Sequence, residues 1–193
     1  TTKAGIPQDD VVAIMTAARM EHVEVVTEKF EDLTLTTFVT AGAYFAATPG
    51  DEVASKQAAF PPKKWGTINT IMLVDGNLTQ SCMVNAIVSA TEAKAAALRE
   101  LDLRSRFSAE VATGTVTDSI VIACTKNRTP IKYAGSGTIM GELIGKSVKA
   151  ALKSAIFKQE NMYSNRPLTR RLEERGITVE NLTTLFAQIR PVL

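Results

Sequence analysis

"INTIMLVDGNLTQSCMVNAIVSATEAKAAALREL", residues 68–101, carries three structural signals in succession. Ile68 to Val74 is apolar and rich in β-branched residues, which predicts a strand. Asp75-Gly76-Asn77 closes it as a turn, and Thr79 stands where a helix N-cap belongs. Residues 80 to 101 hold strong helix formers with no Gly or Pro, so a long helix follows. A further β-branched run, Ser119 to Cys124, supplies a second strand. Strand, helix and strand in that order predict a right-handed parallel crossover.

Reading outward, Val11-Val-Ala-Ile-Met15 is a short apolar run expected to form a buried strand. His22 to Lys29 alternates, and Leu33 to Val39 is another β-branched run ending in the turn Thr40-Ala-Gly42. Residues 46 to 64, with Pro49-Gly50 and Pro61-Pro62, read as an irregular excursion. Toward the C-terminus, Ile131 to Thr138 leads into a helix from about 139 to 157. Two further helices are expected, one opened by Pro167 and closed at Gly176, the other after Thr178. The expected fold is α/β (mixed α+β): one domain over 1–193, a mixed sheet with antiparallel N-terminal strands and at least one parallel crossover, covered by helices. A helical tail occupies about 161–193.

Composition limits the chemistry. The chain has 193 residues, 45% apolar and 22% charged, with a formal net charge of +2. That balance supports one substantial core and gives no argument for nucleic acid, which needs a clustered basic face. The late basic residues, from Lys146 to Arg175, are mixed with Glu160, Glu173 and Glu174 and read as solvated helix faces. No apolar run is long enough to span a bilayer, and two cysteines, Cys82 and Cys124, form no disulfide framework, so a reduced, cytoplasmic setting is expected. Both thiols read as small core residues. With His22 the single histidine, a site built on several His ligands is impossible, and no metal site is expected.

The polar residues gather at element ends. Gly66-Thr-Ile-Asn69 opens one strand and Thr113-Gly-Thr-Val-Thr-Asp118 opens the next, with Glu92-Ala-Lys94 on the helix between them. Ser81, Asn85, Ser89 and Glu92 form a polar stripe along that helix. Glu92 and Lys94 lie about 200° apart around it, so they cannot simply pair. Amide or ester hydrolysis needs a group that activates a nucleophile and one that protonates the leaving nitrogen, which makes Glu92 and Asp118 the candidate acid-base pair. Thr113, Thr115 and Thr117 could supply a nucleophile activated by Lys94, or donate to a carbonyl oxygen. Gly135-Ser-Gly137-Thr-Ile-Met-Gly141 invites a dinucleotide reading, but its GxGxxxG spacing and the lack of an acidic strand end downstream argue against one.

Taken in order, Gly66-Thr-Ile-Asn69, Glu92-Ala-Lys94, Thr113-Gly-Thr-Val-Thr-Asp118 and Tyr133-Ala-Gly-Ser-Gly-Thr-Ile-Met-Gly141 resemble the adenosylcobinamide amidohydrolase family of corrinoid salvage. Thr40-Ala-Gly42 and Met15-Thr-Ala17 fit its N-terminal part, so the resemblance covers about residues 10 to 158. It implies hydrolysis of the amide joining aminopropanol to the corrin ring of adenosylcobinamide. It also implies a small-molecule corrinoid partner and no cofactor of the protein's own, since cobalt arrives with the substrate. Within it, Glu92 is expected as general base, Asp118 as acid or orienting group, and Lys94 as a stabiliser of negative charge. Asn69, Thr113, Thr115 and Thr117 would donate to the amide carbonyl. Gly42, Thr67, Gly114, Tyr133, Gly135 and Thr138 would edge the corrinoid pocket. The family often has Asn where this chain has Phe45, and a small residue where it has Val116. A non-catalytic corrinoid-binding protein and a dinucleotide-binding oxidoreductase are the alternative classes, and a homo-oligomer is possible.

Overall fold

The computed structural model describes residues 5–52, 66–160 and 166–188. Strands β1 (Glu24–Phe30) and β2 (Leu33–Ala41) form a hairpin, with Phe30 paired to Leu33 across a two-residue turn. β2 pairs antiparallel with β4 (Ile68–Asp75), and β4 pairs in parallel with β6 (Ser119–Cys124). The sheet order is therefore β1-β2-β4-β6, a mixed sheet as expected. Between them β3 (Ala46–Ala47) and β5 (Gly114–Thr115) make a small antiparallel ribbon.

Helix α1 (Gln80–Glu100) is the crossover between β4 and β6. Thr79 caps it by accepting from the Cys82 N–H, the bond its position in the sequence predicts. Its inward face is small, Cys82, Ala86, Ala90, Ala93 and Ala97, so α2 (Ile139–Glu160) packs closely beside it over the sheet. Leu35, Met72, Val74, Ile144 and Val148 fill the space between sheet and helices. Cys82 is buried in this core, with Cys124 against it, as small apolar residues.

The Val11–Met15 run is not a strand. It has no regular structure, and Val12 and Met15 are 79% and 92% exposed. Among the described residues both edge strands of the sheet, β1 and β6, lack an outer partner, yet the segment pairs with neither. The Met15 carbonyl instead accepts from Asn69 Nδ2. Of the expected excursion at 46–64, residues 53–64 lie outside the described residues, as do 161–165 and 189–193 of the tail. Among the described residues no helix is long and apolar enough to cross a membrane.

The tail helices α3 (Leu168–Glu173) and α4 (Val179–Gln188) form as expected. Their anchor is Asp102, just past α1, whose carboxylate accepts from Arg104, Arg171 and Arg175. The Arg166 side chain, 3% exposed, donates to the carbonyls of Leu101 and Asp102 and to Glu174. Burial pushes the Asp102 carboxyl upward, but hydrogen bonds from Arg175, Arg171 and Arg104 outweigh it and hold the group well below the usual carboxylate range. A depressed folded value means that its stabilising contribution is complete above the unfolded value, near pH 4, and is lost as pH falls toward the folded one. Asp102 also sits at φ 54°, a conformation Asn tolerates well. Asp102→Asn should therefore lower the thermal midpoint at pH 7 without backbone strain, and the gap to wild type should narrow as pH drops below about 4. A gap that stays constant down to pH 2 would show that the charge is not what anchors the tail.

Candidate functional site

Because β4 and β6 are parallel, the residues that lead into them lie side by side. Gly66-Thr67 precedes β4 and Thr113–Asp118 precedes β6. Thr40 and Ala41, read as the start of a turn, are the last residues of β2, and just beyond them the Gly42 N–H donates to the Thr67 carbonyl at 2.9 Å, so that the chain turns over the start of β4. Gly66 is required there, since a Cβ would lie 2.3 Å from the Gly42 carbonyl oxygen and 2.9 Å from the Tyr44 nitrogen. The Ala43 N–H donates to Glu160 at 2.5 Å, which pins the same turn to the end of α2. Nothing local in the sequence marked Glu160, which lies 117 positions away.

Asp118 is the centre of this region. Its Oδ2 accepts from Lys94 Nζ at 2.5 Å and from the Thr115 N–H at 3.0 Å. Its Oδ1 accepts from the Ile68 N–H at 3.1 Å and from the Thr115 hydroxyl. These four donors use the whole acceptor capacity of a carboxylate. The Lys94 and Asp118 side chains are only 11% and 12% exposed, so each depends on the other for its charge to be tolerated. Removing one partner of such a pair costs about 3–5 kcal/mol, because the other charge is left buried. Gly114 makes room for the pair: a Cβ there would stand 2.5 Å from Asp118 Oδ2 and 3.0 Å from Lys94 Nζ.

Around this pair the Thr67 and Thr117 hydroxyls bond each other at 2.7 Å, and Thr117 reaches the Gly66 carbonyl at 3.4 Å. The Thr113 N–H donates to the Ala47 carbonyl, tying the loop to the β3-β5 ribbon. Asn69 is buried, and its Nδ2 donates to the Met15 carbonyl at 2.6 Å. Its Oδ1 has no hydrogen-bond partner among the described residues. The expected donor role of Asn69 is thus partly taken up inside the protein, and what it leaves open is an acceptor.

Glu92 is elsewhere. It is exposed, faces away from Lys94, and accepts from the Ser136 hydroxyl at 3.2 Å. No hydrogen bond among the described residues joins it to Asp118. The stripe that contains it holds the 134–138 loop: Asn85 Oδ1 accepts from the Ala134 N–H and the Ser89 hydroxyl donates to the Ala134 carbonyl. Thr138 caps α2, donating its hydroxyl to the Gly135 carbonyl and accepting from the Gly141 N–H. A Cβ on Gly141 would lie 2.0 Å from the Gly135 carbonyl oxygen, so loop-on-helix packing accounts for that glycine. Beside Glu92 a cleft of about 730 Å³ runs between α1 and α2, lined also by Ser136, Gly145, Lys146 and Lys149.

Tyr133 is 71% exposed and lines a pocket of about 320 Å³ with Phe30, Asn77 and Arg128. Asn77 follows the far end of β4, and that strand of eight residues is about 24 Å long. By its bonds the expected set divides: Thr115 and Asp118 are joined to Lys94, Gly42 to Thr67 and Thr67 to Thr117, whereas no hydrogen bond among the described residues links Tyr133, Gly135 or Thr138 to Lys94 or Asp118. Phe45 is buried with its ring edge-on to Tyr44, and His22 bonds Gln159 at 3.0 Å.

Residues 1–164 match the family described as adenosylcobinamide amidohydrolase. A protein of Methanocaldococcus jannaschii with no assigned activity is 36% identical over 174 residues, covering 83% of this chain and 68% of its own length. The adenosylcobinamide amidohydrolase of Methanosarcina mazei is 31% identical, covering 75% of this chain and 66% of its own length. That of Halobacterium salinarum is 24% identical over 78% of this chain and 60% of its own length. The chain thus spans about two thirds of the length of these relatives, and the arginine-anchored tail lies beyond the matched region. On the match across residues 1–164 the chain belongs to the adenosylcobinamide amidohydrolase family.

Proposed function

We propose that this chain hydrolyses the amide between the corrin ring and the aminopropanol arm of adenosylcobinamide, giving adenosylcobyric acid and aminopropanol. The observation that carries the reading is the buried Lys94–Asp118 pair with Thr115 bonded to it, set where two parallel strands begin. Amide hydrolysis needs a nucleophile beside a proton acceptor, and positive charge or donors where the carbonyl oxygen gains charge. Lys94 supplies charge; the Thr67–Thr117 hydroxyl pair supplies a donor. The buried Asn69 Oδ1 fits an N–H of the ligand, which a corrinoid offers in its peripheral carboxamides and in the scissile amide itself. The protein contributes no metal or nucleotide in this scheme, and cobalt belongs to the substrate.

Glu92 has a different part here. Its bond to Ser136 steadies the 134–138 loop, and the helix cleft beside it is the alternative place for the chemistry. A non-catalytic corrinoid binder is the second reading, supported by Phe45 where the family often has Asn, with Phe45 buried against Tyr44.

Purified protein incubated with adenosylcobinamide, without added metal or nucleotide, should release adenosylcobyric acid detectable by mass spectrometry. Lys94→Met should reduce turnover by about 100-fold or more while circular dichroism still reports a folded chain. Glu92→Gln is the discriminating partner variant. Activity lost in Glu92→Gln and kept in Lys94→Met would move the site to the helix cleft. In a separate test, Gly114→Ala should lower stability by about 1–3 kcal/mol in urea unfolding, because its Cβ overlaps Asp118 Oδ2. An unchanged midpoint would mean that the pair is not packed against that backbone.

A further inference from the structure

We infer that Thr115 is the nucleophile, so that hydrolysis passes through a corrinoid ester of the protein rather than direct attack by water. The inference deepens the amidohydrolase reading above and rests on it. A nucleophilic hydroxyl needs a proton acceptor within hydrogen-bond reach, and it needs that acceptor held in place by a third group. Thr115 Oγ1 donates to Asp118 Oδ1, while Lys94 and the Ile68 N–H hold the carboxylate from its other sides.

The neighbouring hydroxyls lack this arrangement. Thr117 faces the Thr67 hydroxyl and the Gly66 carbonyl, neither of which can take up a proton at neutral pH. Thr67 is paired with Thr117 in turn. A water molecule activated by Asp118 would need a free acceptor position on the carboxylate, and four donors already occupy it. Glu92, the other carboxylate of the family motifs, is on the far side of α1 and engages Ser136. The one hydroxyl that a carboxylate of this cluster already holds is that of Thr115, and the residue is only partly buried.

The step balances without any further reagent. Thr115 Oγ attacks the amide carbonyl carbon, its proton passes to Asp118 Oδ1, and the carbonyl π pair moves onto oxygen. Collapse of that adduct breaks the carbon–nitrogen bond, and the proton on Asp118 goes to the departing nitrogen, releasing the amine. The acyl group is now esterified to Thr115. Water then attacks the ester, gives a proton through Asp118 to Thr115 Oγ, and leaves the corrinoid carboxylic acid. Lys94 orients Asp118 throughout.

The test compares wild type, Thr115→Ala and Thr115→Ser with adenosylcobinamide. Acid-quenched wild type or Thr115→Ser should carry the cobyric acyl mass on the peptide that contains residue 115, and hydroxylamine should clear it as the hydroxamate. Thr115→Ala should bind the corrinoid, followed by its absorbance, yet turn over about 1000-fold more slowly or worse; Thr115→Ser should retain measurable turnover. Thr115→Ala within tenfold of wild type overturns the inference and leaves the amidohydrolase reading intact. So does a dead Thr115→Ala with no adduct in wild type or Thr115→Ser, which would make Thr115 a positioning residue. Wild type that forms no adenosylcobyric acid sinks the broader reading and this inference together, and is told apart by the missing product.

Discussion

Lys94 and Asp118 bring opposite charges together in a place that is nearly dry, and four structural elements converge on that contact. The lysine comes from α1, the carboxylate from the residue before β6, one donor from the first residue of β4 and two from β5. A charge so poorly hydrated is tolerated only if its partners are complete, which makes the pair sensitive to any misplacement of the elements that supply them. The same sensitivity turns it into a positioning device. Helix, sheet and loop must all be in register before Thr115, Thr67 and Thr117 stand together.

Close approach is the second constraint, and it explains three of the glycines. Gly66 lets the Gly42–Phe45 turn rest on the start of β4, Gly114 lets the Lys94–Asp118 pair lie against the loop, and Gly141 lets the Gly135 carbonyl sit on α2. None of the three needs a positive φ; each is needed because a methyl group would occupy space already taken. Of the glycines that invited a dinucleotide reading, Gly141 is one that packing alone requires, since a Cβ there would lie 2.0 Å from the Gly135 carbonyl oxygen.

Helix α1 does different work on its different sides. Its alanine face packs on the sheet and on α2, Lys94 reaches the strand starts, and Asn85, Ser89 and Glu92 clasp the 134–138 loop. At the C-terminal end, Glu100 accepts from Lys149 and Lys153 of α2, which lower its carboxyl to about 2. Just beyond, Asp102 gathers the arginines of the tail. The element that organises the site thereby also joins α2 and the tail, which lies outside the family match, to the rest of the protein.

Local signals in the chain specified the four strands of the main sheet, the Thr79 cap, the span of α1 and the parallel crossover, because propensity, capping and β-branching act over a few residues; the short β3 and β5 they did not mark. They also identified Lys94, Thr115 and Asp118 as polar groups at element ends. The Val11–Met15 run misled because an apolar pentapeptide does not reveal whether the fold buries it, and Val12 and Met15 stay exposed. Only the tertiary structure decided which carboxylate meets Lys94, that Asn69 spends its amide group on Met15, and that Glu92 and Tyr133 stand apart from the cluster. Those pairings span separations of 24 residues for Lys94 and Asp118 and 54 for Asn69 and Met15, distances over which a linear pattern says nothing about direction in space.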